Sequence, residues 1–104
     1  MKIIEILSEK IDDEIHDAAE YAKMAIEHKV DRPALAETLY SISNDEMRHM
    51  GLIHAEVEKI IEEYRRTKGE PPAGMLAIYD YLHKKSIERA QEAKRYQMLY
   101  KGVQ

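Results

Sequence analysis

Cysteine is absent from this chain of 104 residues, and its absence excludes several kinds of site. Disulfides, thiolate zinc sites and iron–sulfur clusters all require cysteine sulfur. A metal held by this protein is therefore expected to be bound without thiolate, chiefly through carboxylate and imidazole ligands. A chain without cysteine is also compatible with a reducing cytoplasm, where structural disulfides are rare.

An excess of basic charge and long apolar runs are lacking as well. The net charge is −4, with 16 Lys and Arg residues against 20 Asp and Glu residues. Without a basic stripe or tail, nucleic acid is not an expected partner. No apolar run approaches the roughly 20 residues of a membrane span, and the first ten residues lack the pattern of a signal peptide. We therefore expect a cytoplasmic protein that does not associate with membranes.

Helix breakers are scarce, with four Gly and three Pro, and most of them lie in two segments. In the first segment Asp31 is a candidate N-cap, and Pro33 suits the first turn of a helix. In the second, Gly69 can end a helix, and Pro71 and Pro72 can open the next. The sequence therefore predicts one all-α domain over residues 1–104 with three helices. Their predicted ranges are 3–29 for helix A, 33–67 for helix B and 72–100 for helix C.

Between the breaks, apolar residues recur every three or four positions, which is typical of a single inward face on each helix. The short connection between helices A and B predicts that they are antiparallel neighbours. On helix A the predicted inward residues are Ile4, Leu7, Ile11, Glu14, Ala18, Tyr21 and Ala25. On helix B they are Leu35, Leu39, Ile42, Glu46, His49, Ile53, Val57 (or Glu56), Ile60 and Tyr64. Helix B would extend about 50 Å, which is long for so short a chain and favours an intermolecular partner.

Three polar residues interrupt these inward faces: Glu14 on helix A, and Glu46 and His49 on helix B. Ionised carboxylates are rarely buried unless they are paired or bound to a metal. Counted from residue 31 in the turn, Glu14 lies 17 positions before it, and Glu46 and His49 lie 15 and 18 after it. An antiparallel hairpin would bring all three to nearly the same height. Carboxylate and imidazole ligands suit iron, manganese or zinc, and the alternative is a metal-free Glu–His hydrogen-bond network.

Glu14 with Tyr21 seven positions later, followed by Glu46-x-x-His49, resembles the first half-site of the ferritin and rubrerythrin superfamily. The resemblance covers roughly residues 4–64. In that family each half-site takes a Glu from one helix and a Glu-x-x-His from the next, and two half-sites in a four-helix bundle hold two metals. The resemblance implies that Glu14 and His49 are terminal ligands, that Glu46 bridges two ions, and that Tyr21 hydrogen-bonds toward these carboxylates.

A second half-site is missing, because only one helix can follow helix B. The resemblance therefore implies the half-length arrangement of encapsulated ferritins, in which hairpins from two chains complete the bundle. The chain is also similar to small uncharacterised ferritin-like proteins of bacterial and prophage genomes. The implied protein is a homodimer or larger even-numbered oligomer that binds iron, or alternatively manganese or zinc, between subunits. Its implied activity is that of a ferroxidase or an oxygen- or peroxide-reducing oxidoreductase.

Two alternatives to this function come from a different class. In one, the metal holds together the subunits of a non-catalytic helical assembly protein, for example a phage-associated one. In the other, the chain is a metal-free helical interaction protein. Helix C is expected to pack outside the bundle. Its sequence leaves open which of its polar residues, if any, bind the metal. Asp80 and His83 imitate the ligand spacing near the start of the helix, whereas Glu88 and Glu92 fall closer to the level of the metal site.

Overall fold

A computed structural model of the protein describes residues 2–102 and contains three α-helices, with no strand in that range. Their bounds are Lys2–Glu27 for α1, Pro33–Lys68 for α2 and Ala73–Lys101 for α3. The prediction of an all-α fold with three helices is confirmed. The predicted bounds agree with the observed ones to within two residues, because proline and glycine mark the helix ends clearly.

The two connections show how these residues end the helices. Gly69 follows α2 with a φ of 86°, a left-handed value that favours glycine, and its N–H donates to the carbonyl of Arg65 at 3.2 Å. Pro72 precedes α3, and its carbonyl accepts hydrogen bonds from the N–H groups of Met75 and Leu76. Gly102 caps the far end of α3 in the left-handed conformation.

The predicted N-cap of α2 is wrong. Arg32, not Asp31, precedes the first helical residue, Pro33, and no side chain caps the helix. Asp31 lies one position too early, because the N–H of Arg32 closes a turn onto the carbonyl of His28. The Asp31 carboxylate lies instead 3.4 Å from Nδ1 of His28.

Helices α1 and α2 form the expected antiparallel hairpin, and α3 runs parallel to α1. Arg89 of α3 donates to both carboxylate oxygens of Asp12 on α1, at 2.5 and 2.6 Å. Near the other end, the Tyr100 hydroxyl donates to Glu37 of α2 at 2.7 Å. The molecule measures 56 × 19 × 18 Å. Its length is close to that of the 36-residue helix α2 alone, at 1.5 Å per residue.

The buried faces of α1 and α2 are rotated by about one residue from the predicted ones. Both helices bury the predicted residues Ile4, Ile11, Ala18, Ala25, Leu39 and Val57. Elsewhere they bury the next residue along the chain: Ser8, Ile15, Ala22, Ala36, Ser43 and Ile61. The reason is α3, which packs against the hairpin from one side and widens the buried arc toward itself.

This rotation gives the hairpin two unlike sides. The side that faces α3, here called the covered flank, consists of Ser8, Ile15, Ala22, Ala36, Ser43 and Ile61. The opposite side, the open flank, consists of Leu7, Glu14, Tyr21, Leu35, Ile42, Glu46, His49, Ile53 and Ile60. Most residues of the open flank are half-buried. Leu35 is 42% exposed, so its assignment to the inward face is wrong in the single chain.

None of the three described helices combines the length and the apolar character that a membrane span requires.

Candidate metal centre

The hairpin brings Glu14, Glu46 and His49 together on the open flank. One ligand atom from each residue lies within 4.8 Å of the others, and all three residues are half-buried. Across residues 2–102, no other group of three or more His, Asp or Glu side chains has this geometry. The predicted convergence of two carboxylates and one imidazole therefore exists within a single chain.

The register that aligns these residues is held by a buried serine. Ser43, one turn before Glu46, donates its hydroxyl hydrogen to the carbonyl of Ala18 at 2.6 Å. Gln97 of α3 donates to the same serine oxygen at 2.8 Å. Ser43 is fully buried, so its hydroxyl would be costly to leave without partners. The bonds tie all three helices together one turn away from the candidate ligands.

One carboxylate oxygen of Glu14 is buried without a hydrogen-bond partner. This oxygen, Oε2, is screened from solvent and accepts no hydrogen bond. Nδ1 of His49 lies 3.5 Å from this oxygen, a distance too long for a normal hydrogen bond. Buried polar atoms without a partner are uncommon and costly. A cation or a proton between these side chains would satisfy the oxygen.

The neighbouring Glu14 makes the carboxylate of Glu46 easier to protonate. A hydrogen bond to Glu14 raises the pKa of Glu46 to about 7, from an ordinary value of 4.5. Burial and the negative charges of Glu14 and Asp17 contribute to the same rise in the Glu46 pKa, and His49 opposes it. One proton therefore reduces the repulsion between the carboxylates when no metal is present. A divalent cation that displaced this proton would reduce the repulsion further, because it carries more positive charge.

Two charged neighbours of the site were missed by the sequence argument. Asp17 lies one turn after Glu14, and its charge reaches Glu46. Arg48 places Nη2 3.5 Å from Nε2 of His49 and 4.0 Å from the Asp45 carboxylate. The i, i+3 spacing of Glu14 and Asp17 could have identified the first neighbour. Nothing in the sequence indicates that Arg48 turns toward the adjacent imidazole.

Tyr21 lies on the open flank but makes no hydrogen bond to the site within the described residues. Its ring packs, partly buried, against the cluster of Ala25, Ala36, Leu39 and Tyr100. The hydrogen bond that the resemblance implies for Tyr21 therefore stays a prediction, and it would require a second chain or a different rotamer.

The polar candidates on α3 lie away from the three ligands. The His83 ring stacks on His54 of α2 and on Tyr79, with centroid distances of 4.9 and 5.6 Å. Glu92 accepts a hydrogen bond from Tyr96 at 3.3 Å. Asp80 and Glu88 are exposed. None of the four joins the cluster, because α3 occupies the covered flank and the ligands face the other way.

The donor set fits a carboxylate-bound transition metal. Two carboxylates and an imidazole supply hard oxygen and intermediate nitrogen ligands, and Glu14 Oε2 has no other partner. Glu14, Glu46 and His49 would be the residues that hold the ion. Three protein ligands leave further coordination positions for water, a substrate or a second set of ligands.

Comparisons of the chain with protein-family models, with curated proteins and with solved structures found no match. The functional argument therefore rests on the residues and the geometry of this site.

Proposed function

We propose that this protein is a ferritin-like metal protein in which Glu14, Glu46 and His49 bind iron. The observation that carries the proposal is the convergence of these three side chains within 4.8 Å, at the matching height of two antiparallel helices. The unpartnered Oε2 atom of Glu14 supports a cation in the site. Manganese and zinc are the alternative ions, because the same donors suit them.

The proposed chemistry is oxidation of Fe(II) by dioxygen or peroxide. Two Fe(II) ions each supply one electron, and dioxygen that takes up two electrons and two protons leaves as hydrogen peroxide. The protein contributes ligands, charge balance and proton exchange. Glu46 suits the last task, because its pKa of about 7 allows it to release a proton as a cation binds.

A second copy of the chain completes the site in this proposal. One chain offers two carboxylates and one imidazole, which is half of the ligand set of a carboxylate-bridged pair of metals. The open flank supports pairing, because Ile42, Ile53 and Ile60 remain only half-buried there. Two-fold symmetry would bring each chain's ligands face to face. A cytoplasmic location belongs to the same proposal.

The first test is the metal content and mass of the protein purified without a histidine tag. We expect about one iron or manganese ion per chain in an even-numbered oligomer, because a symmetric pair of copies would hold two ions. Glu46→Ala should lose the metal, whereas Glu63→Ala, which removes an exposed carboxylate elsewhere on α2, should retain it. A folded protein that takes up no Fe(II), Mn(II) or Zn(II) would refute the metal site.

A metal-stapled assembly protein is the second candidate, and the open flank favours it too. Leu35 exposes 42% of its surface there, which suits an interaction surface as well as an enzyme. The two functions differ in redox chemistry. Added Fe(II) should be oxidised in an oxygen-dependent manner if the first is correct, and this oxidation should be lost in His49→Ala. Tight zinc binding without oxygen consumption would support the second.

A further inference from the structure

A small cavity, partly open to solvent, lies between the three helices, on the far side of the hairpin from the proposed metal ligands. It has a volume of about 60 Å³ and is lined by side chains from all three helices. Ile11 and Ile15 contribute from α1, Met50 from α2, and Leu82 and Ala90 from α3. The cavity therefore belongs to the covered flank and is distinct from the cluster of ligands on the open flank.

The surface of this cavity is almost entirely apolar, although Ser8, His54, His83 and Ser86 take part in its wall. A buried water needs two to four polar partners, and apolar cavities stay dry and take up apolar molecules. A cavity of about 150 Å³ accommodates benzene, so the smaller volume here selects a molecule of two or three atoms. These properties suit a small apolar gas.

The position of the cavity relates that gas to the metal ligands. Ile11 and Ile15 lie on either side of Glu14 in the sequence, and Met50 directly follows His49. The same turns of α1 and α2 therefore carry ligands on one side and cavity wall on the other. A gas molecule held here would be separated from the ligands only by the thickness of the hairpin.

We propose that this cavity binds dioxygen and holds it behind the metal centre. The role of dioxygen as a reactant rests on the proposed function, but the binding of an apolar gas does not. The cavity would raise the local concentration of a sparingly soluble reactant close to the site that consumes it.

Xenon, which enters apolar cavities of this kind, tests the binding in the metal-free protein. With methyl-labelled Ile and Met, we expect saturable xenon-dependent shifts at Ile11, Ile15 and Met50. The exposed Ile3 methyl should show none. No saturable shift at the three cavity residues would overturn the proposal without any variant.

Ala90→Leu should fill the cavity and weaken xenon binding at least fivefold. Ala77→Leu adds the same side chain at an exposed position of α3 and should leave xenon binding unchanged. If Ala90→Leu does not fold, Ser86→Val fills less space and serves in its place. Equal xenon binding in the filled variant and the wild type would refute this location.

The dioxygen step is tested separately, by Fe(II) oxidation at varied dissolved oxygen. The KM for dioxygen should rise at least threefold in Ala90→Leu, with the Fe(II) binding stoichiometry unchanged. An unchanged KM despite lost xenon binding would overturn the role of dioxygen. If the wild type does not bind Fe(II), the proposed function is refuted instead, and the xenon result still stands.

Discussion

The covered and open flanks of the α1–α2 hairpin differ in the size of their side chains. The covered flank is built largely of small residues, including Ser8, Ala22, Ala36 and Ser43, which let α3 approach closely. The open flank carries larger apolar residues at the preceding positions: Leu7, Tyr21, Leu35 and Ile42. The chain thus keeps much of its large apolar surface on the side that has no third helix.

In the proposed pair of chains, the two flanks would pack against different partners. Full burial of a large aliphatic side chain stabilises a protein by roughly 1.5–3 kcal/mol. On the open flank that stabilisation is only partly obtained within one chain, because Ile42 and Ile53 stay half-buried. A second copy that covered them would complete their burial and would enclose Glu14 and His49. In the proposed pair, each chain would supply half of a larger core.

The largest expected effect is a difference in unfolding free energy between alanine substitutions on the two flanks. Ile15→Ala, at a position with 1% exposure, should lower the free energy of unfolding by about 2–4 kcal/mol, because it leaves a cavity in packed core. Ile42→Ala should lower the unfolding free energy of the single chain by less than about 1 kcal/mol and should weaken self-association at least fivefold. Urea unfolding and sedimentation at several concentrations measure both. Equal, concentration-independent losses would mean that the flanks do not differ.

The second effect is a pH dependence of stability, which arises from Glu46 on the open flank. The folded pKa of Glu46 is raised to about 7, so the metal-free folded chain binds more protons than the unfolded chain between about pH 4.5 and 7. Its stability should therefore fall as the pH rises through this window, by about 1 kcal/mol after discounting for partial exposure. The measurement is the unfolding free energy at pH 5 and at pH 8.

Glu46→Gln is the control for this pH effect, because it keeps the shape and removes the titrating group. The variant should lose this contribution and be more stable than the wild type at pH 8 but not at pH 5, and its metal affinity should fall at least tenfold. If both proteins show the same pH dependence, Glu46 is not the group responsible.

The smallest effect concerns Tyr21. Its hydroxyl makes no hydrogen bond to Glu14 or Glu46 within the chain, so Tyr21→Phe should change metal affinity by twofold or less. Titration with Co(II), followed by its visible absorption, gives the affinity. A loss of tenfold or more would show that the hydroxyl reaches the site carboxylates in the assembled protein, as the ferritin resemblance implies. Tyr64→Phe, on α2, is a matched control.

The sequence predicted the helices and the cluster of ligands for reasons that are local. Pro33 and Gly69 mark the helix ends, and counting from the turn was enough to align Glu14 with Glu46 and His49. The rotation of the buried faces was not predictable in the same way. Ser8 and Ala22 are buried instead of Leu7 and Tyr21 because α3 lies on their side. That choice depends on a helix whose own apolar pattern is weak, and only Ala93 and Tyr100 of α3 are fully buried.

The elongated shape of the chain has a consequence for any pair that forms along the open flank. Since this flank runs along the long axis of a 56 × 19 × 18 Å molecule, a copy laid against it adds width and no length. The longer cross-sectional dimension would approach twice 19 Å, or about 38 Å. The ratio of length to width would then fall from about 3 to about 1.5. Association would turn a rod into a rounder particle with less friction per unit mass.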